Sequence, residues 1–252
     1  MRKILDVQYS EHEDCKLDMY LPDGDGFPLL VYFHGGGLVA GDKLFPAVNL
    51  IANHLVSHRI GLACANYRMY PRYEYPDFLF DAARAVKFIK DESKKIGAEE
   101  IFLGGSSAGA YISMMLCFDE RYLKSVCLSP LDISGFIHDA GQPTAHFEVL
   151  KRRGLDPRRI IVDESAPLYH IGLSERYAPQ MFIVSDNDMK NRYEQTLLTL
   201  STLRHFGYDE DKIRFTLMKD STHTSYVGSV DETGNSIFGR LCEKFIRDFS
   251  KI

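Results

Sequence analysis

Residues 105–109, Gly-Ser-Ser-Ala-Gly, contain the strongest candidate for a nucleophile in this chain. A short apolar run at 101–103 precedes them and a longer apolar run at 110–117 follows, which predicts a strand, a sharp turn and a helix. The pattern G-x-S-x-G at such a turn is typical of a nucleophile elbow, where a serine hydroxyl projects from the top of a sheet. Glycines at both ends avoid collisions between the strand and the helix. We therefore predict that Ser107 is a nucleophile.

A second glycine-rich segment, His-Gly-Gly-Gly at residues 34–37, follows the apolar run 29–33. Acyl transfer builds negative charge on the substrate oxygen, and backbone N–H groups that already point at this oxygen stabilise the charge. We expect the N–H groups of Gly36, Gly37 and Ala108 to form such an oxyanion hole. The alternatives are a flexible turn or a phosphate cradle, but the Lys and Ser/Thr of a P-loop are missing.

The general base must come from one of nine histidines. An elbow of this kind is followed along the chain by an acid and then by the histidine. His205 is late enough, but it lies in a predicted helix that ends at Gly207. His223 follows the predicted strand 213–218 in a polar loop, which is where the base is expected, so we predict that His223 is the base.

The acid is expected directly after the preceding strand, the apolar run 181–184. Asp186 and Asp188 both follow it. Asp186 could instead cap the turn or the next helix, and Asp188 lies deeper in the loop, so we favour Asp188. Asp220 is a third candidate, but it is too close in sequence to the histidine for the usual arrangement. The acid would hold the imidazole in the required tautomer and stabilise the imidazolium.

These segments together resemble the α/β-hydrolase esterases of the hormone-sensitive-lipase-like type. The resemblance extends over nearly the whole chain and includes residues 34–37, 66–71, 75–76, 105–109 and 165–169, followed by Asp188 and His223. It implies the α/β-hydrolase fold and a triad of Ser107, Asp188 and His223. Gly36, Gly37 and Ala108 would be the oxyanion donors.

Three features of this chain depart from that family. Ser106 stands where an Asp or a His is usual, and Leu38 stands where an aromatic residue usually follows the glycines. We expect no helical N-terminal cap like that of larger members, so the cap would be small or would come from an insertion at about 133–175. Leu38, Phe136 and Phe147 are the substrate-binding residues that we predict.

The architecture that we predict is a single α/β domain, residues 1–252, with a mostly parallel eight-stranded sheet covered by helices on both faces. Two alternating, half-exposed strands begin the chain, and helices are predicted at about 45–58, 77–96, 191–206 and 234–250. Residues 126–128 are predicted as the strand after the elbow helix. Glycines and prolines interrupt residues 133–175, which we interpret as the lid.

Composition restricts the partners. The formal net charge of −5 argues against nucleic acid, and there is no apolar run long enough to span a membrane. Five cysteines without metal-ligand spacing predict no metal site, no cofactor and a reducing, cytoplasmic location. A homo-oligomer would use the edge strands or the last helix.

We therefore expect a carboxylesterase that cleaves small, short-acyl esters through an acyl-enzyme. A deacetylase of acetylated sugars and an aryl formamidase are the alternatives. A non-catalytic ligand-binding protein on a hydrolase scaffold is a more distant one.

Overall fold

The eight strands form one sheet. The computed structural model describes residues 1–252, and the strand order is β1-β2-β4-β3-β5-β6-β7-β8. Strands β3 to β8 are parallel to one another, and β2 pairs antiparallel with both β1 and β4. The strands are β1 (Arg2–Gln8), β2 (Lys16–Leu21), β3 (Phe27–Phe33), β4 (Gly61–Ala65), β5 (Ala98–Ser106), β6 (Gly135–Asp139), β7 (Gln180–Asn187) and β8 (Ile213–Thr222). The sheet class that we predicted is confirmed.

Helices cover both faces of the sheet. They are α1 (Val48–Ser57), α2 (Asp77–Ile96), α3 (Ala108–Phe118), α4 (Glu120–Lys124), α5 (Phe147–Arg152), α6 (Arg192–His205) and α7 (Ile237–Phe249). A core of 44 buried residues includes side chains of α2 and α3, and a second core of 21 includes those of α1 and α7. None of the helices combines the length and the apolar character that crossing a bilayer would require.

Helix α3 is the element that carries the nucleophile. All of its residues are buried, because it packs between the sheet and the rest of the chain. Its apolar composition predicts this position. Gly109 in its first turn lies so close to β3 that a Cβ there would be 1.9 Å from the carbonyl oxygen of Phe33. The second glycine of G-x-S-x-G is therefore required by backbone contact, as the elbow pattern predicts.

The prediction of a strand at residues 126–128 was wrong. Residues 125–127 form a turn in which Cys127 has a φ of +59°, and the next strand is β6 at Gly135–Asp139. Strand β6 is buried throughout and pairs with both β5 and β7. Residues 135–139 therefore belong to the sheet, although they lie within the range of about 133–175 that we interpreted as a lid.

Residues 140–179 connect β6 to β7 and include α5 and a 3₁₀ turn at Pro167–His170. Ala145, Leu150 and Ala166 form a small cluster of their own. The hydroxyl of Tyr111 in α3 donates to the carbonyl of Ser165 at 2.7 Å, which fastens the insertion over the elbow helix. A lid function for this segment stays a prediction.

Candidate active site

Three side chains from the carboxyl ends of three strands meet in a hydrogen-bonded chain. His223 Nε2 lies 2.8 Å from Ser107 Oγ, and His223 Nδ1 lies 2.6 Å from Asp188 Oδ1. Ser107 has φ +56° and ψ −113°, a strained conformation that turns the chain from β5 into α3. The imidazole side chain is 25% exposed, so a molecule from solvent can reach it, whereas that of Asp188 is 1% exposed.

The environment of Asp188 keeps it ionised beside the ring. Burial raises the pKa of this carboxyl, but the hydrogen bond and the charge of His223 lower it by more. The pKa of Asp188 is therefore below its ordinary value. Oδ1 also accepts the N–H of Met189 at 2.7 Å. Because this carboxylate accepts the hydrogen bond of Nδ1–H, a neutral ring presents the lone pair of Nε2 to the serine hydroxyl.

Asp186 has a different set of partners. Its carboxylate accepts the backbone N–H groups of Asp220 and Ser221, at 3.0 and 3.3 Å, and thereby connects the ends of β7 and β8. No hydrogen bond joins Asp186 or Asp220 to the ring of His223. Of the three acids considered from the sequence, only Asp188 is in contact with the histidine.

The loop after β3 presents free backbone donors near the nucleophile. The N–H groups of Gly36 and Gly37 donate to no acceptor in the protein. Ala108 is the first residue of α3, so its N–H has no partner within the helix. Gly35 lies against the elbow, since a Cβ on it would be 3.3 Å from Ser107 Cβ. These donors are therefore close to the hydroxyl and available to a ligand.

Gly36 cannot be replaced without moving this loop. Its φ is +115°, and a Cβ there would lie 1.9 Å from the carbonyl oxygen of Ala40. The carbonyl of Gly36 accepts the N–H groups of Val39 and Ala40, at 3.2 and 3.1 Å, which closes the turn. Behind it, the hydroxyl of Tyr67 donates to the carbonyl of His34 at 2.8 Å. The loop is thus held before any ligand arrives.

Comparisons with known proteins support the fold. The model of the BD-FAE family matches residues 17–132. Solved structures that match nearly the whole fold include a truncated carbohydrate esterase from gut microbiota (TM-score 0.78, 14% identity, 100% of this chain and 97% of that one). Esterase B from Lactobacillus rhamnosis has the same TM-score at 16% identity, over 98% of this chain and 86% of the other. The chain has the α/β-hydrolase fold.

Two curated relatives each match less than half of this chain. A probable isoprenylcysteine alpha-carbonyl methylesterase, ICMEL2, from Arabidopsis thaliana is 32% identical over 123 residues, 47% of this chain and 29% of the relative. Esterase LipI from Mycobacterium tuberculosis is 32% identical over 102 residues, 40% of this chain and 32% of the relative. The chain thus spans about a third of the length of these relatives. The resemblance to α/β-hydrolase esterases that the motifs predict is confirmed.

The residues predicted to bind substrate lie in three different environments. Leu38 is fully buried, and its carbonyl accepts the N–H of Tyr70 at 2.9 Å. Phe136 is also fully buried, because it belongs to β6 and packs in the core beneath α3. Neither side chain faces solvent, so these two predictions were wrong. Phe147 is half-buried at the start of α5, with its ring tip 3.2 Å from where a Cβ of Gly37 would lie.

The sequence reasoning missed a buried acid behind the elbow. Asp139, the last residue of β6, has no exposed surface, and its carboxylate accepts the hydroxyls of Ser106 and Tyr226. The hydroxyl of Tyr32 donates in turn to Ser106 Oγ at 2.7 Å. The sequence marks Ser106 as a departure from the family. It gives no signal for Asp139, because the pattern predicts the strand at 126–128 and not at the residues before Asp139.

One group of side chains could in principle hold a metal ion. His54, His58 and Glu243 bring their ligand atoms within 4.8 Å of one another, on α1 and α7. Within the protein these groups already have partners. The carboxylate of Glu243 accepts a hydrogen bond from Arg247 Nε at 2.8 Å and lies 2.9 Å from His54 Nε2. Nδ1 of His58 lies 2.8 Å from the carbonyl oxygen of His54. They connect the two helices, and we assign no metal to them.

Proposed function

We propose that this chain is a serine carboxylesterase in which Ser107 is the nucleophile, His223 the general base and Asp188 the acid that orients it. The observation that supports this most is the continuous chain of hydrogen bonds from Ser107 Oγ through the ring to Asp188. It gives the neutral imidazole the tautomer and the position needed to take the hydroxyl proton.

The reaction would proceed in two halves. His223 Nε2 takes the proton of Ser107 as Oγ attacks the ester carbonyl, and the N–H groups of Gly36, Gly37 and Ala108 stabilise the oxyanion. The protonated ring then donates to the departing alcohol, which leaves an acyl-enzyme on Ser107. Water loses a proton to the same ring, attacks the acyl carbonyl and releases the acid and the free serine.

Small, short-acyl carboxylic esters are the substrates that we propose. Phe147 supports a restricted acyl space, since its half-buried ring lies directly against the loop of Gly37. The relatives include a probable methylesterase and an esterase, which favours ester over amide bonds. Acetylated sugars and aryl formamides are the alternative substrates to be compared.

The partner in this proposal is a small molecule, and a single copy of the chain supplies every residue of the site. All five cysteines are free, which favours the reducing cytoplasm as the location. Neither a membrane nor nucleic acid takes part in the reaction that we propose.

Hydrolysis of p-nitrophenyl acetate tests the proposal. Ser107→Ala should lower kcat by about 10⁴-fold or more, because the nucleophile and its base act as a unit. The control is Ser201→Ala, an exposed position in α6 whose hydroxyl makes no hydrogen bond to the protein. Equal activity of the Ser107→Ala variant and the control would exclude the mechanism.

A substrate panel then separates the alternatives. Acetyl to decanoyl p-nitrophenyl esters, acetylated xylose and an aryl formamide would be compared at equal concentration. We expect the highest kcat/KM for acetyl to butyryl esters. A preference for the sugar or the formamide would change the substrate class, and binding without any turnover would favour a non-catalytic role.

A further inference from the structure

The carboxylate of Asp139 lies between the two loops that carry the proposed nucleophile and base. Asp139 ends β6, where it pairs in register with Ser106, the last residue of β5. It is fully buried, and each carboxylate oxygen accepts one hydroxyl from a different part of the chain. A buried carboxylate with such divided partners connects the segment of Ser106 to the segment of Tyr226.

One half of these contacts holds the nucleophile loop. Asp139 Oδ2 accepts the hydroxyl of Ser106, the residue before the nucleophile. The backbone carbonyl of Asp139 accepts the N–H of Ser107 itself at 2.8 Å. Two bonds from one residue therefore hold the strained turn in which Ser107 has its positive φ.

The other half holds the histidine loop. Asp139 Oδ1 accepts the hydroxyl of Tyr226, which lies three residues after His223 in the 3₁₀ turn Ser225–Gly228. Tyr226 is 3% exposed, so its ring is fixed by packing as well as by the bond. The position of this turn determines where the chain carrying His223 leaves the sheet.

We propose that Asp139 is a positioning residue that keeps Ser107 and His223 at hydrogen-bond distance by holding both loops at once. The proposal rests on the proposed esterase function. Asp139 touches neither the substrate nor the reacting atoms, and acts through Ser106 and Tyr226.

The ionisation of Asp139 makes this role dependent on pH. Burial raises its pKa to about 6, although the bonds from Ser106 and Tyr226 and the charge of His223 oppose the shift. Burial also raises the pKa of Tyr226 and Tyr32 far above the ordinary value, so both hydroxyls stay donors. The titratable groups that face Asp139 are Tyr32 on β3, Asp188 after β7, His223 and Tyr226 after β8, and Cys242 on α7.

Protonation or amidation of Asp139 should loosen one of the two loops. A carboxylate accepts both hydroxyls, whereas an amide or a carboxylic acid has one accepting oxygen and places a donor against the other hydroxyl. Asp139→Asn should therefore lower kcat by about 10–100-fold, the effect of a misplacement near 1 Å, and change KM by less than about threefold.

The pH profile supplies a readout that a merely structural role would not move. Below about pH 6, kcat/KM of both proteins should fall as the pH is lowered. The fall should depend on one more proton in the parent than in Asp139→Asn, because only the parent has a carboxylate to protonate at this position. Identical slopes in the two proteins would overturn the proposal.

Tyr226→Phe provides a milder variant in case Asp139→Asn does not fold. It removes one hydroxyl and keeps the ring, so we expect kcat to fall about 5–20-fold with an unchanged KM. The matched control is Tyr177→Phe. That hydroxyl is equally buried, but it bonds the carbonyl of His170 and the N–H of Gly172 in the insertion. We expect the control to retain the parent kcat.

The outcomes separate the two proposals. If the parent protein hydrolyses no ester, the proposed function fails and Asp139 has nothing to position. If the parent is active and Tyr226→Phe is as active as Tyr177→Phe, the esterase assignment stands and the positioning role is wrong. Loss of kcat in Tyr226→Phe alone, in a protein with a normal thermal melt, supports the role.

Discussion

At the scale of single residues, Asp186 and Asp188 differ in what their carboxylates accept. Asp186 accepts hydrogen bonds from two backbone N–H groups, whereas Asp188 accepts one from the ring N–H of His223. The apolar run at 181–184 predicts that an acid follows, but the spacing alone cannot decide between two aspartates two positions apart. The structure separates them: the register of β7 against β8 shifts between Ser185 and Asn187, the stretch that contains Asp186, and Asp188 follows the end of β7.

The two aspartates allow a matched pair of variants. Asp188→Asn keeps the size of the side chain but offers the ring a donor or a neutral oxygen, so the imidazole loses its tautomer and its charge partner. We expect kcat to fall by about 10³–10⁴-fold. Asp186→Asn should cost less than about tenfold. Steady-state kinetics with p-nitrophenyl acetate measures both, and the reverse order of effects would make Asp186 the acid.

Other residues could not be assigned from the sequence because their surroundings are tertiary. Phe136 and Leu38 are apolar and lie near motif residues in sequence, which made them candidates for a pocket. Both are fully buried and belong to the same hydrophobic core. Local patterns locate the catalytic candidates, but the direction of an apolar side chain depends on packing.

At the scale of elements, the loop after β3 must keep one shape for its donors to work. Gly36→Ala places a Cβ on the carbonyl of Ala40 at a φ of +115°. We expect the loop to shift and kcat to fall by about 10²-fold, as for the loss of an oxyanion donor. Gly24→Ala is the control, since Gly24 has a φ of +78° but no atom within 4 Å of its Cβ position.

Kinetics and thermal melts of both variants separate strain from function. The control should have the parent kcat and a slightly lower Tm, because it carries only the strain of a positive φ. A Gly36→Ala variant with the parent kcat would show that the loop donors are dispensable.

Strand β6 shows where periodicity fails. Residues 126–128, Val-Cys-Leu, are more apolar than the real strand, Gly-Phe-Ile-His-Asp. The polar side chains of β6 are nonetheless buried, because His138 is bonded to Ser113 at 2.8 Å and Asp139 accepts two hydroxyls. When polar side chains are buried against partners from distant segments, the strand that carries them shows no hydrophobic pattern in the sequence. By contrast, α2 has the predicted bounds, since its apolar face repeats over 20 residues.

At the scale of the whole molecule, one buried ion pair fixes α2 to the segment after β4. Arg68 donates to both oxygens of Asp81, at 2.7 and 2.9 Å, and Asp81 has no exposed surface. The pair raises the pKa of Arg68 further above its ordinary value, so the guanidinium stays charged. Asp81→Ala would leave this charge without its main partner.

We expect Asp81→Ala to lower the free energy of unfolding by about 3 kcal/mol. Urea denaturation followed by circular dichroism measures this loss. Glu13→Ala breaks the exposed pair with Arg72 and should leave stability nearly unchanged, because water screens it. Equal midpoints for the two variants would contradict a stabilising role for the buried pair.

The sheet explains how distant residues meet. Ser107, Asp188 and His223 follow β5, β7 and β8, which are parallel, so their carboxyl ends lie at one edge. Partners 116 positions apart in sequence are thereby 2.8 Å apart in space. The order of motifs along the chain predicts this convergence. The buried hydrogen bonds of Asp139 with Ser106 and Tyr226 are known only from the structure.

Labelling with a fluorophosphonate tests the central claim most directly. Mass-spectrometric peptide mapping should find one phosphonyl group per chain, on Ser107, with a parallel loss of p-nitrophenyl acetate hydrolysis. His223→Ala should slow the labelling by about 10³-fold or more, because the hydroxyl loses its base. Continued hydrolysis with Ser107 unlabelled, or a label on another residue that alone removes activity, would contradict the account.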